Sequence, residues 1–459
     1  MVALDTLVVS TALGTIRHEL GASIAQLEWT VNAYNLSLAV LLMPAAALGD
    51  RFGRRRLFAA GLALFTAASA AAGLAPDVTA LIAARAVQGA GAALVLALGL
   101  SIVSAAFAPG ARGKALGIVE GITGLATIAG PVIGGAVAQG ISWEWIFWVN
   151  VPIGLVAIPL VFARIEESVG SDTALDGKGL ALVAGGALGI VWGLVRGNEA
   201  GWGSAEVLAS MATGVALVVA FVIVELRAAE PMLPMRFFRS RGFSAGNAAA
   251  FLLFASMFSA VFFLAQFLQN GLGYSPFGAG LRLLPWTACL FFVAPLSGAL
   301  ADRIGSGPLL VGGLALQAVG MGWIALVAAP DVAYGQLVAP LVLAGIGASA
   351  AIPPAANAVI GAVPDAAVGK AAGANSMLRE LGGVFGVAIA VAVFAGAGSY
   401  ASAQAFSDGF VAAMAVAAGL SLAGAVASSF IGMPTRRSTN AVSQRVPPVP
   451  RCPQPAAGA

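Results

Sequence analysis

Two residue types that build most soluble catalytic and metal sites are almost missing. The 459-residue chain has one histidine, His18, and two cysteines, Cys289 and Cys452. Cys289 lies in an apolar run and Cys452 near the C-terminus, so neither a disulfide framework nor a His/Cys metal cluster is encoded. No metal and no cofactor are expected, and His18 reads as a solvated loop residue. Charge is scarce as well, at 9% of residues. Its few arginines abut apolar runs and form no basic stripe, which argues against nucleic acid as a partner. No GxxxxGK[ST] loop is present, so there is no phosphate cradle for nucleotide-driven work. No nucleophile–base pair stands out either, and the chain is not expected to be an enzyme. Its opening residues lack the layout of a cleavable signal peptide.

What fills the chain instead is apolar. Hydrophobic residues make up 59% of it, with a mean hydropathy of +0.94, which is the balance of a polytopic membrane protein. The 59 glycines suit close helix packing in lipid, where small residues let backbones approach. Runs long enough to span fall at 1–16, 29–49, 57–75, 79–106, 114–138, 145–163, 179–197, 205–226, 243–268, 277–301, 308–328, 333–354, 371–396 and 409–432. The expectation is an all-α integral membrane fold of fourteen transmembrane helices. The first is incomplete, since 1–16 is short of the roughly 20 residues of a full span, and a start upstream of Met1 is expected.

Charge tests this count. Leu48-Gly49-Asp50-Arg51-Phe52-Gly53-Arg54-Arg55-Arg56-Leu57 is a basic turn between two apolar runs, and short cytoplasmic loops are enriched in Lys and Arg. With that turn inside, every alternate loop is inside too. Of the 23 basic residues, only Arg17 and Arg196 then face out, and Arg85, Arg282 and Arg379 fall within spans. An error in the count midway would scramble this bias. Both termini are therefore expected in the cytoplasm, on a chain crossing the cytoplasmic membrane many times. Trp29, Trp143, Trp145 and Trp202 fall at outer helix ends, where indole rings prefer the interface.

The turn has an echo, Gly298-Ala299-Leu300-Ala301-Asp302-Arg303-Ile304-Gly305. Asp50 follows the second helix of the chain, and Asp302 follows the tenth. Two six-helix bundles reproduce that spacing, over 1–163 and 243–432, with two extra transmembrane helices in a linker over 164–242 and a disordered cytoplasmic tail over 433–459. Parallel repeats about an axis along the membrane normal are a known transporter plan.

Several motifs carry a resemblance. The first loop has Leu48, Asp50, Arg51, Gly53, Arg54 and Arg55 in a signature arrangement, with Ala46 where the leading glycine is usual. Leu81, Arg85, Gln88, Gly89, Gly91, Ala92 and Ala93 form an Arg-containing helix motif. Gly130, Pro131, Gly134 and Gly135 match an antiporter motif, and Leu4, Asp5, Thr6, Val8, Ala12 and Leu13 an opening motif. The opening motif departs from its pattern at Ser10 and Gly14. Over the membrane portion the chain resembles the major facilitator superfamily, in its fourteen-helix drug:proton antiporter branch. The resemblance implies two bundles rocking between alternating-access states, with inward-moving protons driving export of amphipathic drugs, antibiotics or a natural product.

Charges inside a bilayer are costly, roughly 2.5–3.5 kcal/mol each on insertion scales, so each needs a role. Asp5 lies about 16 Å from the outer end of its run and Arg85 about 12 Å from the start of its own, at 1.5 Å per residue, so they sit at similar depth. Asp5 is the candidate that takes and releases the coupling proton beside Arg85; the alternative is a static ion pair joining two helices. Glu120, about 9 Å into its helix, either accepts a proton or a cationic drug, or merely snorkels. Gln88, Arg379 and Glu380 are secondary candidates. Arg379 and Glu380, adjacent on a helix, point about 100° apart and are expected to have separate partners. Asp50, Arg51, Gly53, Arg54, Asp302 and Arg303 form the candidate conformational switch loops, Asp50 contacting a neighbouring helix. Their arginines are also placed to meet anionic lipid headgroups, although a topology signal alone would explain them. Gly130-Pro131 removes a helix hydrogen bond and bends the helix. Gly134 and Gly135 then allow close contact with the other bundle. Of Phe254, Phe258, Phe262, Phe263, Phe267, Trp286, Phe291 and Phe292, most are expected to face lipid, with a drug pocket the alternative. The partners implied are a lipophilic or cationic small molecule, protons and membrane lipids, with the protein a monomer. Rival readings are an importer or facilitator of a small metabolite, and a non-transporting membrane sensor.

Overall fold

A computed structural model describes residues 1–106, 122, 125–126, 129–169, 176–228, 231, 233–364 and 367–431. Among these residues the chain is helical throughout, with no strand. The helices are α1 (Val2–Leu20), α2 (Ile24–Phe52), α3 (Arg54–Gly73) and α4 (Val78–Ala106), then α5 (129–140) and α6 (Trp145–Arg164). There follow α7 (Gly177–Ala200), α8 (Ala205–Arg227) and α9 (Arg241–Gly271). The chain continues as α10, in three pieces (Pro276–Arg282, Leu284–Thr287 and Cys289–Ile304), and closes with α11 (Ser306–Val327), α12 (Tyr334–Ile360), α13 (Val368–Ala397) and α14 (Ala403–Ser428). Among the described residues twelve helices are long and apolar enough to cross a membrane. Neither α1 nor the described part of α5 is one of the twelve.

Helix ends fall where capping chemistry puts them, and several overrun the apolar runs. Ser23 opens α2 with a reciprocal capping box: its side chain accepts from Gln26 N and the Gln26 side chain accepts from Ser23 N. Two orphan backbone donors are satisfied at once, so α2 begins five residues before the apolar run that starts at Trp29. At the start of α14 the Ser402 side chain caps singly, accepting from Ala405 N, ahead of the polar Gln404 and Asp408. At the other end of α1, Gly21 adopts a left-handed φ of 62° and closes the helix after Leu20. His18 therefore lies in the exposed last turn of α1, not in a loop.

The two echoing turns are built alike. Gly53 and Gly305, each three residues after its aspartate, have φ of 105° and 87°, a region where a Cβ is strained. Each stops one helix and starts the next within a single residue.

Packing separates lipid-facing from buried helices. About three-quarters of the apolar windows of α2 and α9 are buried (72% each), against 17% in α8 and α10. On α8 the large apolar side chains left exposed are Leu208, Val215, Val219, Val222, Ile223 and Leu226, as befits a surface solvated by lipid chains. In the first six helices α2 and α3 both pack on α4, and α3 on α6. In the last six, α9 packs on α13 and α14, and α11 on α12 and α14. The α7–α8 hairpin docks through α7 onto α2 and α13, where Trp29 and Trp192 rings lie 6.0 Å apart. The two sets meet along α2–α13, α1–α9 and α1–α10.

The phenylalanines correct the expectation of lipid exposure. Phe254, Phe258, Phe262, Phe263 and Phe267 are all buried, and only Phe291 and Phe292 of the group are exposed. Phe267 stacks on Phe410 at 4.1 Å and Phe263 on Phe394 at 4.8 Å. They fill the α9–α13–α14 junction because offset and stacked rings supply packing that lipid chains cannot match geometrically.

Candidate functional site

Five helices converge on one carboxylate. Asp5 (α1) accepts from the Arg85 guanidinium (α4) through Oδ2. Its Oδ1 accepts from Gln88 Nε2 at 2.9 Å and from Asn150 Nδ2 (α6) at 3.3 Å. Arg85 and Gln88 stand at i and i+3 on α4, hence on one face, and Arg85 Nη1 donates to Gln88 Oε1 at 2.6 Å. Gln88 Nε2 donates further to Ser69 Oγ (α3) at 2.8 Å. From α2, the Thr30 carbonyl accepts from Arg85 Nε at 3.1 Å. The guanidinium carbon lies 4.1 Å from the centre of the Tyr34 ring and 5.7 Å from that of Phe147.

Both charged side chains are 1% exposed, so solvent compensates neither. A buried charge is tolerated only if paired and hydrogen-bonded. Here the carboxylate has three donors, and the guanidinium has three acceptors and two ring faces. One capacity is unused: Asn150 Oδ1 is buried without a partner.

The antiporter motif is a packing surface. A Cβ at Gly134 would stand 2.8 Å from Val8 O and 2.7 Å from Thr11 Oγ1, both on α1. One at Gly135 would stand 2.3 Å from Pro276 O on α10, and one at Gly280 of α10 only 2.2 Å from Pro131 O. Gly135 thus faces the second set of helices, whereas Gly134 faces α1 of its own set, contrary to the expectation that both meet the other bundle. Gly130 and Pro131 are buried.

Besides the α2–α13 contact, the sets also touch at the end of the molecule opposite the arginine-rich turn. Gln269 Nε2 of α9 donates to Thr11 O of α1 at 2.9 Å. The Arg17 guanidinium lies 4.2 Å over the Tyr400 ring, and the Tyr400 hydroxyl donates to Gln266 Oε1. Burial pushes the Tyr400 phenol up, against the opposing pull of Arg17, so this hydroxyl stays a donor.

In the first switch loop Asp50 pairs with Arg54 of the same turn at 2.8 Å, not with a more distant helix. The partner from elsewhere is Glu167, beyond α6. It accepts from Arg55 N at 2.9 Å and sits 3.8 Å from Arg55 Nε and 3.5 Å from Arg56 Nε. Arg54 N donates to Ser168 O at 2.9 Å. The exposed Arg51 lies 5.5 Å over the Phe52 ring. In the second loop Arg303 is exposed, and the Asp302 side chain lies outside those described. Glu120 lies outside the described residues. Arg379 rests 4.2 Å over the Phe254 ring, with its buried Nε unpartnered. Glu380 is half-buried and bonds to none of the described residues.

Sequence reasoning passed over Asn150, Ser69 and three polar residues of α2, Glu28, Asn32 and Asn35. The signal was present for the last three, as long polar side chains at i, i+4 and i+7 in a helix. Placing the helix start at Trp29 left Glu28 in a loop.

A family model described as Major Facilitator Superfamily matches residues 1–387 and 246–454. The tetracenomycin C resistance and export protein of Streptomyces glaucescens is 36% identical over 391 residues, covering 85% of this chain and 72% of that one. The cephamycin export protein of Amycolatopsis lactamdurans is 36% identical over 425 residues, covering 90% and 86%. The multidrug resistance protein Stp of Mycobacterium tuberculosis is 35% identical over 400 residues, covering 86% and 74%. Among solved structures, a sulfate complex of the peptide transporter POT superposes with a TM-score of 0.68 at 17% identity, covering 93% of this chain and 90% of that one, a likeness of fold. A chain of a dozen apolar helices, with a desolvated ion pair between α1 and α4 and this family match, belongs to the major facilitator superfamily of membrane transporters.

Proposed function

We propose that the protein is a proton-coupled exporter of amphipathic drugs, antibiotics or a natural product, of the fourteen-helix antiporter branch. Its N- and C-termini are in the cytoplasm, with bundles over 1–163 and 243–432. The observation that carries the coupling reading is the Asp5–Arg85 pair with its shell of Gln88, Asn150 and Ser69. The export direction rests on the similarity to relatives named as export and resistance proteins.

In the described arrangement Asp5 is satisfied as a carboxylate. A proton on Asp5 turns its hydrogen-bonded ion pair with Arg85 into a neutral acid facing a buried guanidinium. Leaving a buried charge without its counter-charge is worth about 3–5 kcal/mol. The protonated protein therefore gains by any rearrangement that gives Arg85 another partner, or that opens the site to water. The end of the molecule at Arg17, Tyr400 and Gln269 is closed here. With the arginine-rich turn on the cytoplasmic side, that closed end is the outer one, and export requires it to open. An outward-open Asp5 released from Arg85 then takes a proton from outside, and re-forming the Arg85 bond on return expels that proton toward the cytoplasm.

The relatives' names favour export over import of a metabolite, and the desolvated charges have no use in a passive sensor. The test is substrate-triggered proton release from inverted membrane vesicles, on adding lipophilic cations and antibiotics, for the parent protein and Asp5→Asn. A proton leak in the parent and none in Asp5→Asn supports the reading. An equal leak in both removes Asp5 from coupling.

A further inference from the structure

A second carboxyl group lies deep in the protein, with no cation paired to it among the described residues. Glu28 is 0% exposed, as is Asn32, and Asn35 is 1% exposed. Glu28 Oε1 accepts from Asn32 Nδ2 at 3.0 Å. Glu28 Oε2, Asn32 Oδ1 and both polar atoms of Asn35 have no hydrogen-bond partner. A buried polar atom without a partner costs about 1–3 kcal/mol, more if charged, so four on one strip require an explanation.

The strip's position supplies one. At 100° per residue, positions 28, 32 and 35 fall within roughly 60° of each other on α2. On one side of them, Leu27 and Val31 share an apolar cluster with Val8, Val9 and Leu13 of α1. On the other, Leu36, Ala39 and Val40 cluster with Met377, Leu381 and Val384 of α13. The strip thus lines the seam between the two sets of helices, where moving parts separate. Its depth matches the ion pair: Glu28 is two residues, about 3 Å, from Thr30, whose carbonyl accepts from Arg85. Glu380 stands seven residues along α13 from Gly373, hence on the same face, and Gly373 lies against Met43 of α2. That brings a second carboxylate to the α2 side of the seam.

The cations within the membrane portion are engaged elsewhere. Arg85 is held by Asp5, Arg379 lies on Phe254, Arg17 lies on Tyr400 and Arg282 lies on Tyr274. The seam therefore offers carboxyl and amide acceptors, with no cation paired to them among the described residues.

We propose that Glu28, flanked by Asn32 and Asn35, is the binding group for a monovalent organic cation, and so sets the charge class of solute the transporter takes. This rests on the transport reading but not on its coupling to protons. A carboxylate facing a cation in a desolvated seam gains far more than one in water, and the apolar wall of α1 and α13 accepts the cation's hydrocarbon body.

The test is equilibrium binding of tetraphenylphosphonium to the purified, detergent-solubilised protein, compared with Glu28→Gln and Glu28→Asp. The amide of Glu28→Gln still accepts from Asn32, so the fold is retained. The expected result is a Kd raised about 10- to 100-fold in Glu28→Gln and less in Glu28→Asp. Equal affinity of parent and Glu28→Gln, or no saturable binding by the parent, overturns the proposal. Binding that depends on Glu28, in a protein that moves no tetraphenylphosphonium in proteoliposomes, supports the site and overturns export instead.

Discussion

Removing either charge of the Asp5–Arg85 pair should destabilise the protein far more than removing both. Asp5→Asn keeps an oxygen toward Gln88 and Asn150 but turns an amide donor toward the guanidinium, so two donors face each other across the vacated bond. Arg85 is then left with Gln88 Oε1, the Thr30 carbonyl and the Tyr34 ring. None of these carries a full negative charge. Arg85→Gln leaves Asp5 with Gln88 and Asn150 only. Each single change removes one partner of a buried pair, and about 3–5 kcal/mol is expected for each. Asp5→Asn with Arg85→Gln removes both charges together, and neutral replacements of buried pairs are often near neutral in stability. The double variant should thus lie within about 2 kcal/mol of the parent, a coupling of at least roughly 4 kcal/mol, above the range of about 0.5–3 kcal/mol usual for contacting residues. Equilibrium unfolding in mixed micelles measures all four proteins, and substrate-triggered proton release is read on the same samples. The double variant should regain stability and remain uncoupled. Additive losses in the two single variants would refute the inference that the pair is desolvated and mutually dependent.

Gly135→Leu should abolish transport while leaving expression near normal, because even a Cβ there would stand 2.3 Å from Pro276 O; accessibility labelling at the Tyr400 end should show that face held open. Gly53→Ala, at φ 105°, should lower stability by about 1–2 kcal/mol in an unfolding titration, and Gly305→Ala, at φ 87°, should do the same. Glu167→Gln should slow transport turnover several-fold without changing tetraphenylphosphonium affinity, since it loosens the Arg55 and Arg56 contacts far from the seam. Tyr400→Phe keeps the ring under Arg17 and loses only the bond to Gln266, so a mild effect of about 0.5–1.5 kcal/mol on stability is expected.

Membrane architecture was readable because the bilayer imposes a crude rule: a long apolar run bounded by charge. Asp5 and Arg85 stood out for the same reason, as charges where charge is expensive. What hydropathy left out lay at helix ends and in neutral polar residues. The Ser23–Gln26 capping box extends α2 to Ile24 and turns Glu28 from a loop residue into a buried one, a change that no apolar count registers. Asn150 stands between two valines with nothing in the sequence to single it out, although it donates to Asp5. Glu167 stands next to Glu166 in sequence with nothing to set it apart. Its grip on Arg55 and Arg56 joins residues more than a hundred positions apart, and long-range pairing leaves no trace in a local pattern. The phenylalanines of α9 failed differently: burial in protein and exposure to lipid select the same residues, so composition could not separate them.

One helix links the charged centre to the closed end. Asp5 lies in the first turn of α1, and Thr11, Gly14 and Arg17 follow toward its far end. A Cβ at Gly14 would stand 3.0 Å from Gln269 Oε1, Gln269 donates to Thr11 O, and Arg17 lies on Tyr400. Asp5 and Arg17 are twelve residues apart, about 18 Å along a rigid rod. On its other flank α1 is held against Gly134 with no room for a side chain. A shift or tilt of α1 on loss of its bond to Arg85 therefore has to break contacts with α9 and the Tyr400 loop, because close-packed interfaces do not deform continuously. This makes α1 the element whose position both the proton and the gate would bias, which is the condition for coupling. A cysteine crosslink between α1 and α9 at the Thr11 level should freeze transport and leave tetraphenylphosphonium binding at Glu28 intact. Continued transport by the crosslinked protein would show that α1 need not leave α9, and coupling would have to travel by another helix.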